Sequence, residues 1–320
     1  MMDTKSFADL FDAMQRQIGS VVIGQDELLT GALAALFAQG HVLVEGAPGL
    51  GKTLALRALA SVAGCGFKRI QFTPDLMPSD ITGSSVLDRA TSTFTFVPGP
   101  LFAQLVLADE INRAPAKTQS ALLEAMQDRQ ITVDGVSRKL EAPFMVLATQ
   151  NPIESQGTYP LPEAQLDRFL MKLLVQNPSR DAETTIVKNH AAGFDPADLS
   201  TLRSIATATQ VVEMQACAAR VRVGDEIVAY MVDLVRRTRE DRAIELGASP
   251  RASLALLRVS QVMAASQGRD FVTPDDVKPL AATVLRHRIL LHPDAQIQGT
   301  TPDDRIADIV RATPVPRVSS

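Results

Sequence analysis

The chain has 320 residues, 46% of them hydrophobic, and a formal net charge of −4, so it can bury a substantial core, divided between two domains more readily than held in one. The acidic balance argues against a general nucleic-acid-binding surface and leaves room only for a local basic rim. Cys65 and Cys217 lie far apart and only four histidines are present, so neither a disulfide framework nor a metal cluster is expected, and with no apolar run of membrane-spanning length and no signal pattern at the start, a cytoplasmic protein is expected.

In chain order, Phe7, Leu10, Phe11, Met14 and Ile18 recur at helical spacing and predict an amphipathic N-terminal helix packed on the core. The turn VVIGQDELL, residues 21–29, introduces a second helix. HVLVE, residues 41–45, is a short apolar strand feeding GAPGLGKT, residues 46–53, which matches G-x-x-x-x-G-K-[ST] at every fixed position; LALRALASVA, residues 54–63, is helical in period. Strand, glycine-rich loop and helix in that order form a phosphate cradle. Gly46 and Gly51 let the backbone turn so that successive N–H groups point into one hollow at the positive end of the helix. The expected contacts to a polyphosphate are Gly46, Ala47, Pro48, Gly49, Leu50, Gly51, Lys52, Thr53 and Leu54, with the Lys52 ammonium at the outer phosphates and the Thr53 hydroxyl a ligand of Mg2+. The turn just before this loop is where an adenine would rest, so Val22, Ile23 and Gly24 are assigned to the base.

FKRIQFT, residues 67–73, reads as the next strand, PDLMPSDITG as a loop marked by its prolines and Gly83, and residues 93–97 as one arm of a hairpin ended by PGP at 98–100. LFAQLVLADE, residues 101–110, is a buried parallel strand that delivers Asp109 and Glu110 at its C-terminal end, the edge where open α/β sheets bind ligands. Asp109 would hold the magnesium shell, and Glu110 would orient the water attacking the terminal phosphate.

INRAPAKTQSALLEAMQDRQ, residues 111–130, runs into a helix beginning near Pro115 with Leu122, Leu123 and Met126 inward. Arg113 either contacts nucleotide across a subunit boundary or pairs with a neighbouring carboxylate, the second being favoured. ITVDGVSRKL, residues 131–140, carries an Asp134-Gly135 hairpin turn. FMVLATQNP, residues 144–152, is another buried strand followed by Asn151 on a loop held by Pro152, where an amide can grip the terminal phosphate and the attacking water. LPEAQLDRFLMKLLV, residues 161–175, places Arg168 at the start of a fifth strand pattern, either as an arginine finger reaching a neighbour's nucleotide or as an ion pair with Asp167 or Glu163.

After Pro178 the pattern changes to helices without strand runs, which places the domain boundary between 1–178 and 179–320. Residues 225–241 and 249–266 are amphipathic helices, and a third is expected from its N-cap at Thr273 to about Arg288. Arg251 falls in the first turn of its helix, where a cation opposes the dipole, which suggests a charge aimed at an anion elsewhere. Arg286, His287 and Arg288 form a small basic cluster at a helix C-terminus. A short polar tail follows Pro314.

The ordered set GAPGLGKT, LADEINRAP at 107–115, ATQNPIE at 148–154, LPEAQLDRF at 161–169 and SPRA at 249–252 resembles the AAA+ ATPases and, within them, the MoxR family. The resemblance implies an α/β fold with a five-stranded parallel sheet in an αβα core, followed by an all-α helical lid, with ATP at their junction and at the interfaces of a hexameric ring. It maps Walker A onto Lys52 and Thr53, Walker B onto Asp109 and Glu110, the first sensor onto Asn151, the finger onto Arg168 and the second sensor onto Arg251. It further implies a chaperone-like motor acting on a protein client with a von Willebrand factor A domain partner. The competing functions are a nucleic-acid-associated ring ATPase, disfavoured by the acidic balance, and a nucleotide-gated scaffold that does not hydrolyse.

Overall fold

The computed structural model describes residues 2–89, 92–151 and 158–316. Its centre is a five-stranded sheet of β1 (Val42–Glu45), β2 (Phe67–Gln71), β3 (Leu105–Asp109), β4 (Met145–Gln150) and β5 (Met171–Leu174), arranged β2-β3-β4-β1-β5. Pairing is parallel, with Val42 beside Leu147, Leu105 beside Met145 and Phe67 beside Leu105. The apolar runs VLVE, LVLAD and MVLATQ fill the middle of the sheet and are buried along nearly their whole length, as parallel strands covered on both faces must be. At the edge, β2 buries little besides Ile70. Because the strands run the same way, the ends of β1, β3 and β4 lie along one edge of the sheet. This is the α/β fold with a helical second part that the motifs implied.

The chain forms two compact units, Met14–Leu161 with Leu173–Val212, and Met1–Ala13 with Pro162–Lys172 and Glu213–Ser320. The division is not the linear one at 178. Residues after 178 stay with the sheet because Pro178 and Ala182 press against Gly24, where an added methyl would lie 2.7 Å from the Ala182 Cβ. Arg57 also holds the carbonyls of Pro196 and Ala197 at 3.3 and 2.7 Å. The N-terminal helix, Thr4–Gly19, buries Phe7, Phe11, Met14 and Ile18 at the expected spacing, and its two ends belong to different units.

In the sheet-bearing unit, helices Lys52–Val62 and Ala116–Asp128 bury one face each, the latter including the expected Leu122, Leu123 and Met126, and helix Asp26–Phe37 is buried nearly all round. Two hairpins stand apart from the sheet. Gly83–Asp88 pairs with Thr93–Pro98, and Gln130–Val133 with Val136–Lys139 through Asp134 and Gly135, at φ of +53° and +75°. The expected loop before Gly83 contains a short helix, Pro78–Thr82, started by Pro78 and closed by the Asp80 carboxylate accepting the Met77 N–H at 2.8 Å. Pro152 lies outside the described residues, as do residues 317–320 of the expected tail.

His41 is enclosed between β4 and the Ala116–Asp128 helix. Its Nδ1 accepts from the Val146 N–H at 3.0 Å, so Nε2 carries the proton and donates to the Met126 carbonyl at 3.0 Å. Burial, partly opposed by that carbonyl, pushes its pKa down to about 4. The unfolded chain takes up this proton below about pH 6.5 and the folded chain only near 4, so the contribution is whole above 6.5 and is lost as pH falls toward 4. Urea unfolding is expected to show a loss of about 2 kcal/mol from this group between pH 7 and 5. His41→Gln should flatten the profile by that amount, and an unchanged profile would refute the assignment.

In the other unit, helices Asp225–Glu240, Pro250–Ser266 and Pro302–Ala312 supply the core. A small antiparallel pair, Ile244–Leu246 with Leu290–Leu291, corrects the expectation of helices alone. The third helix also ends earlier than expected. It starts at Thr273 with a capping box to Asp276, but Pro279 divides it into Pro274–Val277 and Leu280–Leu285, since proline lacks the N–H needed to continue.

Arg286, His287 and Arg288 are more than a helix end. Arg286 pairs with Asp303 at 2.7 Å and donates to the Lys172 carbonyl at 3.3 Å, while His287 reaches the Phe169 carbonyl at 3.1 Å. Arg288 is buried and donates to the carbonyls of Phe169 and Leu170 at 2.5 and 3.1 Å and to the Asp167 carboxylate at 2.9 Å. These side chains satisfy the backbone of the segment entering β5.

Candidate active site

The loop at residues 46–51 leaves β1 and turns at once into the Lys52–Val62 helix. Gly46 is required by crowding, because a Cβ there would lie 2.7 Å from the Val175 carbonyl oxygen. Gly51 caps the helix in the left-handed region, φ +79°, so the free N–H groups of the first turn face the hollow. Lys52 bends back over the loop, with Nζ donating to the carbonyls of Gly46 at 2.7 Å and Ala47 at 3.2 Å. Partial burial lowers its pKa, and the charges of Asp109 and Glu110 oppose that shift.

At the end of β3, Asp109 is held from two sides. Its Oδ1 accepts from the Thr149 hydroxyl at 2.6 Å, and its Oδ2 from Arg69 Nη2 at 2.6 Å and Nε at 3.1 Å. Glu110 has left the strand with φ +56°, a left-handed conformation that costs a non-glycine residue on the order of 1 kcal/mol. Its N–H donates to the same Thr149 hydroxyl at 2.8 Å, and its Oε2 accepts from Gln71 at 2.8 Å and Arg113 at 3.0 Å. Thr149 therefore fixes the carboxylate of one acid and the backbone of the other. Arg113 is paired with a neighbouring carboxylate, the favoured of its two readings.

A cavity of about 680 Å³ in this unit joins these groups. Lys52, Thr53, Asp109, Glu110 and Asn151 line it, with Arg69, Gln71 and Thr149. Val22 and Ile23 also line it, as do Ile186, Asn189, His190 and Phe194. Most of the expected phosphate, metal and base residues line this one hollow, whereas Gly24, Gly46 and Ala47 are not among its lining residues. The loop residues Pro48, Gly49, Leu50 and Gly51 and the following Leu54 also line it, while Gly24 packs closely against Pro178 and Ala182. Arg69, Gln71 and Thr149 were not read from the sequence, although Arg69 and Gln71 share one face of β2 and register beside Leu107 and Asp109. The lining from Ile186 to Ala197 lies beyond the boundary that the change of pattern after Pro178 sets, so the sequence gives no sign of its place here.

The family model for the ATPase family associated with various cellular activities (AAA) matches residues 41–171, and that for the AAA lid domain matches residues 236–309. The chain is 41% identical over 313 residues to Chaperone MoxR1 of Mycobacterium tuberculosis (strain ATCC 25618 / H37Rv), covering 95% of this chain and 82% of that protein. It belongs to the MoxR family of AAA+ ATPases. This MoxR-family chain is also 46% identical over 299 residues to YeaC of Bacillus subtilis (strain 168), covering 93% and 92% of the two chains. The crystal structure of a provisionally named ATPase from Cytophaga hutchinsonii ATCC 33406 superposes with a TM-score of 0.91 at 37% identity, covering 98% and 97%.

Two of the expected site residues of this MoxR-family chain lie in the other compact unit. Arg168 is in the turn after the short Glu163–Leu166 helix, before β5 rather than at its start. Arg251 is in the first turn of the Pro250–Ser266 helix, half-exposed, with Nη1 3.7 Å from the Asp167 carboxylate.

Proposed function

We propose that this MoxR-family chain binds ATP with Mg2+ and hydrolyses it in a hexameric ring in the cytoplasm. Turnover then drives chaperone-like remodelling of a protein client, its maturation or metal insertion, together with a von Willebrand factor A domain protein. The observation that supports hydrolysis best is the convergence of Lys52, Thr53, Asp109, Glu110 and Asn151 on one cavity. The chaperone part of the reading is supported by the name of the MoxR1 relative.

The donor set suits the proposed cofactors. Free N–H groups and an ammonium at a helix start favour a polyphosphate, and the Thr53 hydroxyl with the Asp109 carboxylate are hard oxygen donors of the kind magnesium takes. When bound, the metal would offset phosphate charge and polarise the terminal phosphoryl group. Lys52 exchanges its carbonyl contacts for the outer phosphates. Glu110 orients the attacking water and draws on its proton, Asn151 positions water and phosphate, Arg251 senses the subunit's own nucleotide and Arg168 acts on the neighbour's.

Lys52→Ala is expected to weaken ATP binding about 10- to 100-fold, the size of a lost pair of charge-assisted hydrogen bonds. Titration with a fluorescent ATP analogue measures this. Affinity equal to the parent's would overturn the phosphate site.

A further inference from the structure

Asp167 immediately precedes Arg168 and gathers three side chains within one compact unit. Its Oδ1 accepts from Arg288 Nε at 2.9 Å, and its Oδ2 accepts from the Ser249 hydroxyl at 2.9 Å and lies 3.7 Å from Arg251 Nη1. Ser249 is also the N-cap of the helix that bears Arg251, its Oγ accepting the Arg251 N–H at 3.2 Å. One carboxylate therefore ties the helix start carrying Arg251 to the turn carrying Arg168.

The strengths of these contacts differ in a useful way. Arg288 has only 3% of its side chain exposed, and it spends its remaining donors on the carbonyls of Asp167, Phe169, Leu170 and Val284. Such a shielded, fully bonded guanidinium holds its partner firmly, and losing either member leaves an uncompensated buried charge. The Arg251 contact is long and its side chain is 53% exposed, so it contributes little. Arg251 can thus exchange Asp167 for a phosphate at small cost, while the Ser249 and Arg288 bonds keep the two backbones moving together.

We infer that Asp167 is a positioning residue that couples Arg251 to Arg168, so that nucleotide sensed by one subunit sets how Arg168 is presented to the next. The inference rests on the ring reading above. A displacement of Arg168 by about 1 Å would cost the neighbour about 100-fold in rate, which gives this linkage its effect.

The test uses rings of parent subunits mixed with an excess of full-length Glu110→Gln subunits, which present Arg168 without turning over. Parent turnover is compared when those inactive subunits carry no second change, Arg168→Ala, Asp167→Asn or Ser249→Ala. Binding of a fluorescent ATP analogue to each doped variant is measured alongside. Asp167→Asn in the inactive subunit is expected to lower turnover of its parent neighbours about 10- to 100-fold while its own ATP affinity changes less than about threefold. Ser249→Ala, which leaves the Arg288 charge paired, should give a smaller loss, and it decides the matter alone if Asp167→Asn does not fold. A purely structural role for Asp167 would weaken the variant's own binding without this effect on neighbours. If Arg168→Ala depresses the neighbours but Asp167→Asn and Ser249→Ala do not, the coupling is refuted and the finger stands. If Arg168→Ala itself leaves the neighbours unchanged, the finger reading fails and the coupling with it.

Discussion

Arg168→Ala is expected to lower ATP turnover by about 10³- to 10⁵-fold, the range for an arginine that stabilises charge on a transferring phosphoryl group. ATP binding should stay within a few-fold of the parent, because the phosphate loop, Lys52 and the acid pair all lie in the other compact unit. Specific activity of the parent should rise with protein concentration as rings assemble. Steady-state turnover measured across a concentration series, for parent and variant, checks both statements. Turnover per chain that is flat with concentration and indifferent to Arg168 would mean that each chain hydrolyses alone, and both the finger and the ring would have to be abandoned.

Glu110→Gln is expected to lower turnover by about 10²- to 10⁴-fold, as for loss of a positioned base, while ATP stays bound. The substitution is nearly isosteric. The Glu110 backbone is held by the Thr149 hydroxyl independently of its side chain, and a glutamine oxygen can still accept from Gln71 or Arg113. The left-handed backbone at φ +56° and the placement of Asp109 should therefore survive, so the variant isolates the carboxylate's chemistry from the shape of the site. Single-turnover hydrolysis with a binding measurement on the same sample separates the two effects. Undiminished hydrolysis would remove Glu110 from its role.

How much of this could be read along the chain depends on the range of the interaction. Residues 41–63 carry strand, loop and helix signals within about twenty positions, and the structure forms β1 and the Lys52–Val62 helix there. The Asp134-Gly135 turn was equally legible, since both residues adopt the positive φ that the dipeptide favours. Local signals misled where a distant partner decided the outcome. The helix expected to run to Arg288 stops at Leu285, and the basic cluster after it turns to grip residues 167–172, more than a hundred positions earlier.

Periodicity and motif spacing by themselves determined the alternation of strands and helices and the order of the phosphate, acidic and amide segments, because each is written in a run of adjacent residues; the family came from the resemblance its motifs bear to known ones. Only the tertiary structure decided the order β2-β3-β4-β1-β5, the bonds of Arg69 to Asp109 and of Gln71 to Glu110, the bridging by Thr149, and the place of residues 178–197 beside Val22 and Ile23. Those contacts join positions some 40 to 175 apart. Close packing and the need to pair buried polar groups select them, and neither leaves a periodic trace along the chain.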